Sequence, residues 1–141
     1  MENFGFSSVQ IARRLRWVML AVIVIDITLT ALGQPSGYWV HPAAADEGNH
    51  LFHFVMLQGP AAWIAFELVY LAVAFLIASL GCGRCALFAI FSYILGHYYG
   101  ACTWLTNHWH LGTASAVAYA MVVAAAIVLL AFPSDLRLSR S

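Results

Sequence analysis

Charged residues are scarce in this sequence of 141 residues. They make up 9% of the chain, lysine is absent, and 63% of the residues are hydrophobic. Such a composition is too apolar for an ordinary soluble domain. The formal net charge is zero, so no basic surface points to nucleic acid, and we expect no nucleic-acid partner.

The sequence also lacks the short motifs that identify common reaction classes. It has no nucleophile elbow, no H-E-x-x-H, no Walker loop and no haem-attachment motif. One C-x-x-C occurs, at Cys82 and Cys85. Its spacing suits a dithiol pair or half of a metal site, but a tight turn explains it more simply. Whether the chain is an enzyme is left open.

Long apolar runs dominate what is present. Four of them are long enough to cross a bilayer as helices, which takes about 20 residues each. None alternates as barrel strands do. The sequence therefore predicts an all-α integral membrane protein, in which residues 1–141 form one four-helix transmembrane bundle. The predicted helices cover about 15–33, 60–80, 86–105 and 111–132, and residues 106–110 are expected to form a tight outer turn. A short interfacial helix, capped by Asp46, is expected at about 46–58 in the first outer loop.

The arginines predict the orientation of this bundle. Three lie at or just before the start of the first helix, Arg84 lies between the second and third, and two follow the fourth. The other two connections contain no Lys or Arg. By the positive-inside rule, both termini and the Arg84 loop face the cytoplasm, and the His-containing connections face outward. We expect a multi-pass protein of the inner (cytoplasmic) membrane.

Small residues recur every four positions on two of the helices. One stripe comprises Ser92, Gly96 and Gly100, and the other comprises Ala116, Ala120 and Ala124. Small residues at this spacing allow close approach of helices in lipid. We therefore interpret both stripes as helix-packing faces.

Each apolar run contains a polar side chain at a similar depth. From helix rise, Asp26, Glu67, His97 and Tyr119 all lie about 10 to 13 Å below the outer surface. Ionisable groups at such depth are costly and usually face a bundle interior. The layer predicts acid–base groups or ligands of a polar pocket that opens outward. A satisfied polar core that fixes helix register is the structural alternative.

A second polar cluster lies directly above this layer. Residues 46–53 read D-E-x-x-H-x-x-H, and acid and imidazole groups one turn apart on a helix can bind one Zn, Fe or Cu ion. The predicted metal ligands are Glu47, His50, His53, His97 and His108. A haem or chlorin ligated by His97 is a weaker alternative, and a solvated loop with incidental histidines is another.

Three functions fit these features. The first is a membrane metalloprotein that acts on, or supports chemistry of, a small or lipid-like substrate. The second is a non-catalytic subunit of a larger respiratory, oxygenase or photosynthetic membrane complex. The third is a proton-coupled carrier. Membrane lipids are expected partners in each case, together with larger subunits or further copies of the chain.

Overall fold

The computed structural model describes residues 7–131, and in that range it is all helical without strands. Five α-helices follow one another: α1 (Ser8–Gly33), α2 (His50–Met56), α3 (Pro60–Leu80), α4 (Gly83–Thr103) and α5 (Gly112–Ala131). All but α2 are long and apolar enough to cross a membrane, α4 together with a short extension.

The first long helix begins earlier than its apolar run. Ser7 caps α1: its side chain accepts from the backbone N–H of Gln10, while the Gln10 side chain accepts from the N–H of Ser7. This reciprocal pair stabilises a helix start. Residues 8–14 are therefore helical, although the predicted helix began at about 15. Residues 1–6 lie outside the described part.

The connection from α1 to α3 is ordered by hydrogen bonds rather than by one helix. Two 3₁₀ turns, Ser36–Trp39 and Pro42–Ala44, precede α2. The Gln34 side chain donates to the Asp46 carbonyl (2.7 Å) and accepts from the Asp46 N–H (2.8 Å), which ties the loop to the end of α1. Gly59 has φ of 111°, a conformation that favours glycine, and turns the chain into α3.

The interfacial helix predicted at about 46–58 is shorter than expected. Asn49, not Asp46, caps it by accepting from the N–H groups of Leu51 and Phe52. Asp46 and Glu47 therefore precede the helix, and the expected helical spacing between these acids and His50 does not exist. The prediction was wrong because an asparagine nearer the apolar residues supplies a competing cap.

The tight turn expected at residues 106–110 is also wrong in part. The helix continues beyond α4 as one π-helical turn, Trp104–His108, and the chain reverses only at residues 109–111. His110 carries a positive φ of 51° there. Single π turns in a helix occur often at functional sites. Here the turn widens the helix beside the loop of residues 34–49.

Helix α1 lies at the centre of the bundle and contacts α3, α4 and α5, with its largest interface against α4. The main core contains apolar side chains of α1 and α4, among them Leu15, Met19, Ile23 and Ile90. A second core packs Tyr38, Met56 and Trp63 together, and so joins the loop to α3.

The stripe of small residues on α4 has two different roles. Gly100 lies against α1, where an added Cβ would be 2.8 Å from both carboxylate oxygens of Asp26. Ser92 and Gly96 are exposed instead, and a Cβ at Gly96 would meet no atom within 4 Å. The expectation of one packing face thus holds for Gly100 and is wrong for the other two. On α5, Ala116 and Ala120 are half-buried and Ala124 is exposed.

Candidate functional site

A hydrogen-bonded chain of three side chains joins three helices. His97 Nδ1 on α4 lies 2.8 Å from Asp26 Oδ2 on α1, and His97 Nε2 lies 3.1 Å from the Tyr70 hydroxyl on α3. His97 is buried, with 7% of its surface exposed. With Asp26 ionised, Nδ1 carries the proton, and Nε2 of neutral His97 accepts from Tyr70.

Local packing fixes each member of this chain. The missing side chain at Gly100 leaves room for the Asp26 carboxyl beside α4. The Tyr70 ring is held by edge contacts with Phe52 (5.8 Å between centroids) and Tyr93 (5.5 Å). Since aromatic pairs prefer such geometry, the Tyr70 hydroxyl is positioned toward His97.

Glu67 lies one turn before Tyr70 on the same helix. It is 6% exposed, and its Oε1 accepts a hydrogen bond of 2.9 Å from the Trp63 indole. Trp63 belongs to the second core, so the loop indirectly positions Glu67. Glu67 Oε2 is buried and has no hydrogen-bond partner among residues 7–131. Such an atom in a folded protein calls for an explanation.

One cavity of about 1130 Å³ is lined by Asp26, Glu67, Tyr70 and His97. One end of this cavity is polar and is bounded by the 46–49 loop and by the π turn with Asn107 and His108. The cavity then follows α3 and α4 toward Ile77 and Phe88, near the opposite ends of those helices. We call this space the α3–α4 cavity.

One wall of the α3–α4 cavity is open at the protein surface. Four lining residues of α4 are themselves exposed: Phe88, Ser92, Gly96 and Tyr99. Their spacing places them in one stripe along the helix. The cavity is therefore a lateral groove with a polar end and a more apolar body.

The loop contributes two further carboxyl groups at the polar end, those of Asp46 and Glu47. Glu47 Oε1 accepts from the Asn49 N–H at 2.7 Å. Burial raises the pKa of the Glu47 carboxyl, and this hydrogen bond acts in the opposite direction. His108 Nδ1 lies 4.0 Å from Asp46 Oδ2, so an imidazole and a carboxyl also meet at this end.

The structure brings together most of the predicted site residues, but not all. Asp26, Glu67 and His97 line the cavity, as do Glu47 and His108. Three others do not line it: His50 is exposed, His53 is half-buried on α2, and Tyr119 on α5 stacks on Tyr98 at 5.4 Å. Helix rise predicts the depth of Tyr119 but not the rotation of α5, so depth alone could not place this side chain in the cavity wall.

Metal binding stays a prediction. Among residues 7–131, no three His, Cys, Asp or Glu side chains are placed to hold one metal ion. Both ring nitrogens of His97 are within hydrogen-bond distance of protein oxygens. Ligation of a metal, haem or chlorin by His97 would therefore require Tyr70 or Asp26 to move.

Tyr70 and Trp63 were not predicted as site residues. Tyr70 contacts His97, and Trp63 donates to Glu67. A signal was present: positions 63, 67 and 70 follow the i, i+4, i+7 spacing of one helix face. A search for tyrosine and tryptophan on the face of Glu67 would have found both. Comparison with models of protein families, with curated proteins and with solved structures finds no match to this chain.

Proposed function

We propose that this chain is a multi-pass membrane protein that binds an amphiphilic small molecule in the α3–α4 cavity. In this proposal the Asp26–His97–Tyr70 chain is the acid–base group that faces the polar head of the bound molecule. The observation that carries the proposal is the position of this chain in the wall of the cavity.

The shape of the cavity supports an amphiphile. Ligand sites usually enclose about 300 to 1,000 Å³, so a volume of about 1130 Å³ accommodates a large molecule or one with an apolar tail. The exposed α4 stripe faces the region where lipid would lie, and it gives a ligand a path from the bilayer. The polar groups at the loop end of the cavity would then contact the polar head of this ligand.

The chemistry of the hydrogen-bonded Asp26–His97–Tyr70 chain supports proton exchange with the polar head of the bound molecule. A carboxylate on Nδ1 orients an imidazole and stabilises its protonated form. Nε2 can then take a proton from Tyr70 or from a bound group that replaces Tyr70. The same arrangement would serve the predicted proton-coupled carrier, so proton exchange is the common element of these two functions.

The orientation predicted from the sequence belongs to this proposal as well. The protein lies in the inner membrane with both termini in the cytoplasm, so the polar end of the cavity faces outward. A transition metal (Zn, Fe or Cu) at the polar end, and a place in a larger membrane complex, stay predictions. Elemental analysis of the purified protein tests the first, and the subunits that co-purify test the second.

A co-purification experiment tests the proposal. The protein is extracted from its membrane in polymer nanodiscs, and small molecules released from it are identified by mass spectrometry. Gly96→Leu places a side chain in the cavity, since a Cβ there meets no other atom. Ala124→Leu is the matched control on the exposed face of α5. We expect one amphiphile that co-purifies with the unchanged protein to be lost in Gly96→Leu and kept in Ala124→Leu. Recovery of the same molecules in equal amounts from all three proteins would refute the proposal.

A further inference from the structure

The acidic residues of the described chain converge on a single cavity. Residues 7–131 contain four acids, Asp26, Asp46, Glu47 and Glu67, and all four line the α3–α4 cavity. None of the four arginines in this range lines it. The acids come from α1, the loop and α3, so the convergence is a property of the fold and not of a local sequence run.

The imidazoles in the wall of the cavity are fewer than the acids. His97 and His108 are the histidines that line the cavity, and each lies beside one carboxyl, Asp26 or Asp46. Four carboxyl groups thus share the cavity with two imidazoles and no arginine. A negative potential in a cleft of low dielectric attracts cations.

Two acids of this cavity, Glu67 and Asp26, each have a buried carboxyl oxygen without a hydrogen-bond partner in residues 7–131, and Glu67 is the more buried residue. It is 6% exposed and lines the cavity, and its buried Oε2 has no partner in residues 7–131. An ionised Oε2 would be an unpaired acceptor and a protonated one an unpaired donor, so neither state satisfies the atom within this part of the chain. An unpaired buried charge is costly unless a ligand compensates it.

Aromatic rings surround the same space. Phe52, Tyr70, Tyr93 and Trp104 line the cavity together with the acids. Aromatic faces attract organic cations, and a cavity of about 1130 Å³ far exceeds the volume of a metal ion. Charge, rings and size together favour an ammonium group on an apolar body.

We infer that the α3–α4 cavity selects an amphiphilic amine, whose ammonium group donates to Glu67 Oε2 while its apolar body lies along Ser92 and Gly96. This inference rests on the proposed function and specifies the charge of its ligand. The Glu67 carboxylate is the specificity-determining group.

A competition among matched probes tests the inference. The full chain in phosphatidylcholine nanodiscs is equilibrated with equal amounts of dodecylamine, dodecanol and dodecanoate, and the bound probe is counted by native mass spectrometry. Glu67→Gln removes the charge but keeps an oxygen that accepts from Trp63. Gly96→Leu reports how much binding occurs in the cavity, and Ala124→Leu is its control.

We expect the amine to be preferred about tenfold or more over both other probes, as loss of a charged hydrogen bond suggests. That preference should fall about tenfold in Glu67→Gln, and all binding should be lost in Gly96→Leu. Equal binding of the three probes, blocked by Gly96→Leu, would overturn the inference and leave the proposed function standing. A preference for dodecanoate would do the same.

Absence of cavity binding by all three probes would overturn the inference and the proposed function together. Detection of a bound metal ion, with none of the three probes bound, would likewise overturn both proposals. Should Glu67→Gln fail to fold, the preference of the unchanged protein for amine over alcohol decides, since that comparison uses no variant.

Discussion

At the scale of single residues, the Asp26–His97 contact is the pairing on which the site depends. It joins α1 to α4 across the centre of the bundle, at 2.8 Å and with both side chains largely buried. Buried partners of this kind are strongly coupled, because removal of one leaves the other unsatisfied. The contact therefore stabilises the fold and orients His97 toward Tyr70.

A double-mutant cycle measures this coupling. Asp26→Asn and His97→Gln, alone and combined, should show a coupling free energy of about 0.5 to 3 kcal/mol in the free energy of unfolding in detergent. Thr28→Val provides the control on α1, because Thr28 is exposed and its hydroxyl donates only to the Val24 carbonyl at 2.7 Å. Its cycle with His97→Gln should show no coupling, and equal coupling in both cycles would contradict the assignment.

The exposed thiol of Cys82 has its own testable chemistry. A hydrogen bond from the Cys85 thiol lowers the pKa of Cys82 below its ordinary value of 9.0. Since the thiolate is the reactive form, the rate of alkylation by iodoacetamide should reach half its maximum below that pH. Removal of the donor in Cys85→Ala should move the midpoint upward.

Peptide mapping after trypsin resolves this measurement, because Arg84 lies between the two cysteines. Half-buried Cys102 serves as the internal reference. An unchanged midpoint in Cys85→Ala would show that the hydrogen bond does not control the Cys82 thiol.

At the scale of elements, the long helices were predictable and the connections were less so. Apolar length predicts a spanning helix because lipid allows few other structures. The ends depended on local hydrogen bonds that compete closely: Asn49 rather than Asp46 caps α2, and a π turn extends α4 to His108. Those two differences decide which residues reach the cavity, so the loop part of the site could not be predicted from spacing.

Two glycines one turn apart on α4 separate packing from cavity formation. Gly100→Ala would place a methyl group 2.8 Å from the Asp26 carboxylate oxygens, and should destabilise the protein by about 1 to 3 kcal/mol. Gly96→Ala meets no atom within 4 Å and should be neutral or stabilising by up to about 1 kcal/mol from helix propensity. Unfolding of both variants in the same detergent provides the comparison. Equal destabilisation would mean that Gly96 is a packing residue after all.

At the scale of the whole molecule, the scarcity of charge becomes informative. The sequence shows acids in three separate segments, two of them at similar depth, but only the fold shows that these acids share one cavity. Depth follows from helix rise, whereas the rotation of each helix follows from packing between helices. That is why the similar depths of Asp26, Glu67, His97 and Tyr119 could not show that the first three line this cavity and Tyr119 does not.

The orientation of the molecule determines which compartment the polar end of the cavity faces, and labelling of single cysteines tests it. In a background of Cys85→Ala and Cys102→Ala, native Cys82 reports the Arg84 connection. Ala43→Cys, added with Cys82→Ala, reports the exposed loop beside the cavity. By the positive-inside rule, a membrane-impermeant maleimide should label Ala43→Cys in intact cells and Cys82 only after permeabilisation.

The reverse pattern would place the cavity mouth in the cytoplasm and would leave its chemistry unchanged. Labelling of both positions from one side would contradict the four-span topology itself, since one long helix, α3, separates the two sites. Because α3 carries both Glu67 and Tyr70, a protein in which α3 does not cross the membrane could hold neither Glu67 at the predicted depth nor Tyr70 beside His97.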